Sequence, residues 1–256
     1  IDGAESSLED AQNAARFVRE HLWQSSSQTL LRRFRDGSSG VDAYAEDYAY
    51  LIFGLLELFQ ADGDPEWLAW ASTLQRRQDE LFWDPNDGGW FSTTGKDESV
   101  LLRLKEDYDG AEPAASSVSV LNLLVLSHLG LGDFSDQIER TLGVFASRIG
   151  QSGRVAPMML AALSTYHAGT PQLVIVGDPS SDDTRALRRV VMQHYLPTTI
   201  VVPLGVPARM RPSELLPWTA SMKEVDGRAT AYLCRNFACE APVTDASVLE
   251  RILNGT

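Results

Sequence analysis

Residues 44–81 read YAEDYAYLIFGLLELFQADGDPEWLAWASTLQRRQDEL, and this stretch decides the fold. From Tyr44 to Phe59 the apolar residues nearly encircle a helix: Tyr44, Tyr48, Leu51, Leu55 and Leu58 share one side, with Ile52, Leu56 and Phe59 beside them. A helix that is apolar on most sides is buried on most sides. Ala61-Asp62-Gly63-Asp64-Pro65 stops it and starts another, with Asp64 as N-cap and Pro65 in the first helical position, where its missing N–H is harmless. The second helix, to about Leu81, is one-sided: Trp67, Ala71, Leu74 and Leu81 face a core, while Arg76, Arg77, Asp79 and Glu80 face water.

The same unit recurs downstream. Pro113 to Leu129 is again apolar, Gly130-Leu131-Gly132-Asp133 again stops and caps, and an amphipathic helix carrying Ile138, Leu142, Phe145 and Ile149 follows. Asp64 and Asp133 occupy equivalent places. Inner helix, tight turn and outer helix form a repeat of the kind found in stacked or ring-closed hairpins. Between the two units, Phe82-Trp83-Asp84 and Gly89-Trp90-Phe91 flank Pro85-Asn86-Asp87-Gly88, a β-hairpin signal. Upstream, a first helix is predicted to begin after Ser7, capped by its hydroxyl with Asp10 three positions on, and to end near Trp23. Leu30 to Phe34 reads as extended and Asp36-Gly37-Ser38-Ser39-Gly40 as a turn-rich connector. After a short helix at Pro157 to Tyr166 the period changes. Leu173-Val174-Ile175-Val176 and Ile200-Val201-Val202 read as strands around a helix at Thr184 to Tyr195, a βαβ unit with a right-handed crossover. Ala229 to Cys234 adds a strand, and a last helix begins near Asp245. The fold class is mainly α: helical hairpins over residues 1–168, then a small C-terminal α/β segment over 169–256.

The chain has 256 residues, 44% of them hydrophobic, and a formal net charge of -13. That charge argues against nucleic acid and anionic membranes, whose affinity comes largely from Lys and Arg. No apolar run approaches the roughly 20 residues of a membrane helix, and Ile1-Asp2-Gly3-Ala4-Glu5 lacks a signal-peptide layout and a starting Met. A processed chain or a piece of a longer one is expected. Two cysteines are too few for a disulfide scaffold, which points to a reducing, intracellular setting, cytoplasmic or organellar. Cys234 and Cys239 are spaced for free thiols or a local disulfide rather than a redox centre, and without nearby histidines they make no zinc site. No cofactor or metal is called for. Gly177-Asp178-Pro179-Ser180 follows a strand but lacks a phosphate loop's glycine pattern, and a structural turn is the better reading.

The densest chemical stretch is Arg103-Leu104-Lys105-Glu106-Asp107-Tyr108-Asp109-Gly110-Ala111-Glu112-Pro113, which delivers the chain into an inner helix, with Asp47 in the matching place at the other. In a ring of hairpins these ends surround a central cavity. Asp47, Asp107, Asp109 and Glu112 are therefore the candidate acid, base or binding groups. Trp83, Trp90, Arg103, Lys105 and Tyr108 are candidate substrate contacts. Carboxylates with aromatic platforms suit sugar chemistry, in which one acid protonates a glycosidic oxygen while a second activates water or attacks. Against this stands the plain alternative that acids near helix N-termini are caps.

Several motifs in order resemble the spermatogenesis-associated protein 20 family: Ala45-Glu46-Asp47-Tyr48-Ala49, Leu81-Phe82-Trp83-Asp84, Gly88-Gly89-Trp90-Phe91, Arg103 with Lys105, Asp109-Gly110-Ala111-Glu112-Pro113, Val174-Ile175-Val176-Gly177-Asp178, and Ala231-Tyr232-Leu233-Cys234 with Cys239 and Pro242. Members of that family join an N-terminal thioredoxin-like domain to a six-hairpin, glycosidase-like (α/α)6 toroid. The resemblance implies that this chain is the C-terminal portion, a partial (α/α)6 toroid whose other half and thioredoxin-like domain are its expected partners; it carries over no activity, and a carbohydrate ligand is expected from the carboxylates and aromatics alone. One departure is Ala114-Ala115-Ser116-Ser117, where the family pattern has Ser-Gly-Asn-Ser or Ser-Ala-Asn-Ser, so that Ser116 replaces an amide. Related toroid epimerases use histidines, but His21, His128, His167 and His194 do not occupy the inner-helix ends, and epimerase ranks low. Two functions follow: a carbohydrate-binding or carbohydrate-processing, glycosidase-like region, inactive as this portion alone, or a non-catalytic scaffold for a redox protein.

Overall fold

The computed structural model describes residues 4–96, 100–205 and 212–255. The opening residues 1–3 lie outside them. The first helix, α1, runs Ala4–His21, and Ser7 lies within it rather than capping it. Glu9 and Asp10 follow without any helix-breaking residue. Hence the Ser7–Asp10 signal does not fix the start, which comes one turn earlier.

Three strands follow: β1 Trp23–Gln24, β2 Thr29–Arg35 and β3 Ser38–Asp42. They form an antiparallel sheet in the order β1-β2-β3. The stretch expected to be a connector is thus a hairpin turn and a third strand. Asp36 and Gly37 both have positive φ (51 and 75), the left-handed pair that a two-residue turn between twisted strands requires. Tyr48 accepts the Leu30 N–H at its hydroxyl (3.0 Å) and so ties this sheet to the next helix.

The hairpins appear as read. α2 Ala45–Asp62 ends at Gly63, in a left-handed conformation (φ 79), and α3 Pro65–Phe82 begins with the Asp64 carboxylate accepting the Glu66 N–H. α4 Ala115–His128 and α5 Ser135–Gln151 repeat the unit, but the expected equivalence of Asp133 with Asp64 does not hold: Phe134 is the N-cap of α5, and Asp133, one residue earlier, accepts the Ser135 N–H at 3.1 Å. α6 spans Pro157–Ala168. α4 packs against both α2 and α6, while α3 backs onto α2 and α5 onto α4. Their core holds Tyr48, Ile52, Phe59, Leu68, Leu123 and Leu126, all fully buried. Buried amides lock the register: Gln78 donates to the Ala45 carbonyl (3.0 Å) and the Ser119 hydroxyl (2.9 Å), and Asn122 donates to the Ala49 carbonyl (2.9 Å).

The C-terminal part contains β4 Gln172–Val176, α7 Asp182–Gln193, β5 Ile200–Leu204, the one-turn α8 Pro212–Leu215, β6 Thr230–Arg235, β7 Ala238–Cys239 and α9 Ala246–Asn254. Strand order is β5-β4-β6-β7, with β4 and β5 parallel and the rest antiparallel. Alternation divides the sheet's faces. Val174, Ile200 and Val202 join the helical core, whereas Leu173, Ile175 and Leu233 pack with Leu187 and Leu249 of α7 and α9. Asp183 accepts the Ala229 N–H at 2.7 Å; the Ser181 hydroxyl first, and then this bond, hold its carboxyl down at about 2. Cys234 and Cys239 stand opposite each other on β6 and β7 and are joined as a disulfide. No helix among the described residues is long and apolar enough to cross a membrane.

Candidate functional site

α1, β2, the first two turns of α2 and residues 111–113 enclose an open cleft of about 570 Å³. Val18, Leu22, Leu30, Leu31 and Leu51 form its aliphatic floor. Its polar groups are Arg32, Glu46, Asp47, Tyr50 and Glu112. Glu46 and Tyr50 are one helical turn apart, on the stripe of α2 that the core leaves uncovered. Tyr50 donates its hydroxyl to the Pro113 carbonyl (2.9 Å), which fixes the segment leading into α4 against α2.

The electrostatics are lopsided. Arg32 lies 3.5 Å from Asp47 and 3.8 Å from Glu46, with its guanidinium 4.4 Å from the centre of the half-exposed Tyr44 ring. Asp47 also accepts the Tyr44 N–H (2.8 Å), a cap on the first turn of α2. Burial pushes the Glu46 carboxyl above its ordinary range; its backbone hydrogen bond and Arg32 oppose this, while Asp47 and Glu106 reinforce it. The Tyr50 phenol is raised by burial and then by Glu112, Asp109, Glu46 and Glu106. Glu112 is exposed and has no ion pair among the described residues.

Of the four carboxylates expected at the inner-helix ends, Asp47 and Glu112 therefore line one cleft, while Asp107 and Asp109 do not line it. Asp109 is buried and turned to the backbone: one oxygen accepts the Ala114 N–H (2.8 Å), the other those of Met158 (2.8 Å) and Met159 (3.3 Å). It joins the N-terminal ends of α4 and α6. Asp107 pairs with Arg148 on the surface at 3.2 Å.

The expected contact residues build a neighbouring loop instead of the cleft. Trp90 is buried, donates its indole N–H to Asp79 (2.9 Å) and stacks edge-on against Trp83, so it presents no face to a ligand. Burial raises the Asp79 carboxyl against the hydrogen bonds it accepts. Lys105 donates to the Gly88 carbonyl (2.7 Å) and pairs with Asp84 at 2.5 Å, and its hydrogen bond to Asp84 is the main reason that the Asp84 carboxyl is lowered. Arg103 donates to the carbonyls of Thr93 and Leu81 and covers the Phe91 ring at 4.1 Å. Tyr108 stays exposed. Ser116, in place of an amide, accepts the Trp90 N–H at its hydroxyl (3.2 Å). The cleft's Arg32, Glu46 and Tyr50 were not singled out as site residues from the sequence. A signal existed: Glu46 and Tyr50 are polar groups at i, i+4 in the first turns of a mainly apolar helix.

Carboxylates, a phenol and a guanidinium above an aliphatic floor can hydrogen-bond the edge of a polyol ring while its C–H face rests on the leucines. No protein-family model matches the chain. It is similar over 98% of its length to spermatogenesis-associated protein 20 of Mus musculus (37% identical) and of Homo sapiens (36%), covering 33% of each. An uncharacterized protein of Caenorhabditis elegans is 32% identical over 85% of the chain, which covers 29% of it. The chain thus spans about a third of the length of the curated relatives it matches.

Proposed function

From the premise that the chain is similar, over nearly its whole length, to a third of spermatogenesis-associated protein 20, we propose that it is one arc of a larger α/α toroid whose cleft binds a carbohydrate. The observation that carries this is the meeting of Asp47 and Glu112 with Glu46 and Tyr50, at the starts of α2 and α4, over an aliphatic floor. Beside the cleft, the half-exposed Tyr44 ring lies against Arg32, whereas Trp90 is buried. Asp109 holds the ends of α4 and α6 together, and Arg103 and Lys105 brace the neighbouring loop. Hydrolysis by this portion alone is not expected, because half a ring leaves the cleft open on one side.

The test is a glycan panel titrated against the chain and against Glu46→Gln. Binding of at least one sugar, weakened about tenfold by the substitution, is the expected result. Failure of every glycan to bind, for this chain and for a longer chain carrying the remaining two thirds, would sink the reading.

The end of the chain's helical part supports the arc: α6 is rich in apolar residues yet buries only Met159 and Ala162, leaving Leu160 about a third exposed, as an end helix does when a further hairpin belongs beside it.

A further inference from the structure

A strand as short as β7, at the edge of a sheet, has little backbone pairing to keep it in place. It forms two register pairs with β6, Arg235 with Ala238 and Cys234 with Cys239. Between them Asn236 and Phe237 are both left-handed (φ 50 and 63), a tight hairpin turn that suits Asn but is costly for a side chain as bulky as Phe. Two contacts hold this turn. The Cys234–Cys239 disulfide closes its base, and the Phe237 ring stands edge-on to Trp218 at 5.5 Å. A Cβ on Gly130, in the turn between α4 and α5, would lie 3.7 Å from the same ring. Trp218 is anchored there by its indole N–H, which donates to the Leu129 carbonyl (2.9 Å). The hairpin tip thus fastens the edge of the C-terminal sheet onto the helical part.

The disulfide is placed to open without unfolding the chain. Cys239 is exposed on the outer edge, whereas Cys234 is fully buried. The cross-link spans a sequence separation of 5, and so short a loop restricts the unfolded chain little, so that its hold is local. We propose that Cys234–Cys239 is a redox-sensitive latch: a dithiol reductant opens it, frees the β6–β7 hairpin and lifts Phe237 from Trp218. A thiolate of the reductant attacks the Cys239 Sγ, and Cys234 leaves as a thiolate and takes up a proton. The second thiol of the reductant then displaces Cys239 from the mixed disulfide. Two electrons and two protons pass to the protein, and the reductant ends as a cyclic disulfide. Exchange with an oxidised dithiol runs the same steps in reverse and closes the latch.

Dithiothreitol, reduced and then oxidised, is the probe, applied to the 256-residue chain in native buffer. On reduction, iodoacetamide is expected to alkylate both cysteines while the far-UV circular dichroism stays native. Amide exchange over residues 235–240 should rise about tenfold. The tryptophan fluorescence should shift, and this shift should be absent from Trp218→Phe. Oxidised dithiothreitol should reverse the exchange and the fluorescence in chain that has not been alkylated. Cys239→Ser is expected to show the open state without reductant and to ignore dithiothreitol; if it fails to fold, the reduced wild-type chain decides by the same readouts. Alkylation only in denaturant overturns the latch, and so does loss of the native circular dichroism on reduction, which would make the disulfide a staple of the whole fold. Alkylation with unchanged exchange and fluorescence also overturns it, because packing alone would then hold the hairpin.

Discussion

Asp109 shows how an acid in a chemically rich loop is used when the backbone competes for it. Its two oxygens accept three N–H groups from the beginnings of two helices, where the free donors and the positive helix-dipole ends both favour a carboxylate. Asp109→Ala would leave those donors without an acceptor in a buried place and should cost about 3 kcal/mol in urea unfolding. Asp107→Ala, which removes only a surface ion pair, should cost under about 0.5 kcal/mol. Equal effects of the two substitutions would refute the assignment of Asp109 as a clamp. The residue's type and place were legible in the sequence. Its partners were not, because Met158 and Met159 are about fifty residues away and reach it only when α6 packs beside α4.

At the scale of elements, the two tryptophans around Pro85-Asn86-Asp87-Gly88 were legible as a hairpin, and the structure pairs Trp83 with Trp90 in a single antiparallel bridge. The turn is built by Asp84, which accepts the Asn86 N–H (2.9 Å), and by Gly88, at φ 90. A Cβ on Gly88 would stand 2.8 Å from the Arg140 Cβ and 3.1 Å from its carbonyl carbon, so α5 presses directly on the turn. Gly88→Ala should therefore destabilise by about 2–3 kcal/mol, combining backbone strain with displacement of α5. The near-UV tryptophan signal should weaken with it, and an unchanged urea midpoint would count against this packing. The missed β3 has a different lesson. Ser38-Ser39-Gly40 has turn composition and no apolar period, and it becomes a strand only because β2 lies beside it to take its hydrogen bonds.

For the whole molecule, the question is whether the helical part and the C-terminal sheet stand or fall together. Val174, Ile200 and Val202 enter the same core as Ile52 and Phe59, Gln60 accepts the Val201 N–H (3.0 Å), and Arg188 donates to the Ala61 carbonyl. With a shared core, denaturant unfolding should be one transition, coincident by far-UV circular dichroism and tryptophan fluorescence. Val202→Ala should shift both probes together by about 2 kcal/mol. Two separate midpoints would show that the sheet is an independent unit.

The sequence by itself determined the helical hairpins, the cap at Asp64, the parallel βαβ pair and the likeness to spermatogenesis-associated protein 20, since each rests on local periodicity or on contiguous motifs. Only the tertiary structure decided which acids face a cleft and which are consumed as clamps. A cleft is a meeting of α1, β2, α2 and residues 111–113, and no local pattern records which side of each element the others will cover. The same burial that hides Trp90 and Asp109 leaves Glu46 and Glu112 at the surface, where a ligand can reach them.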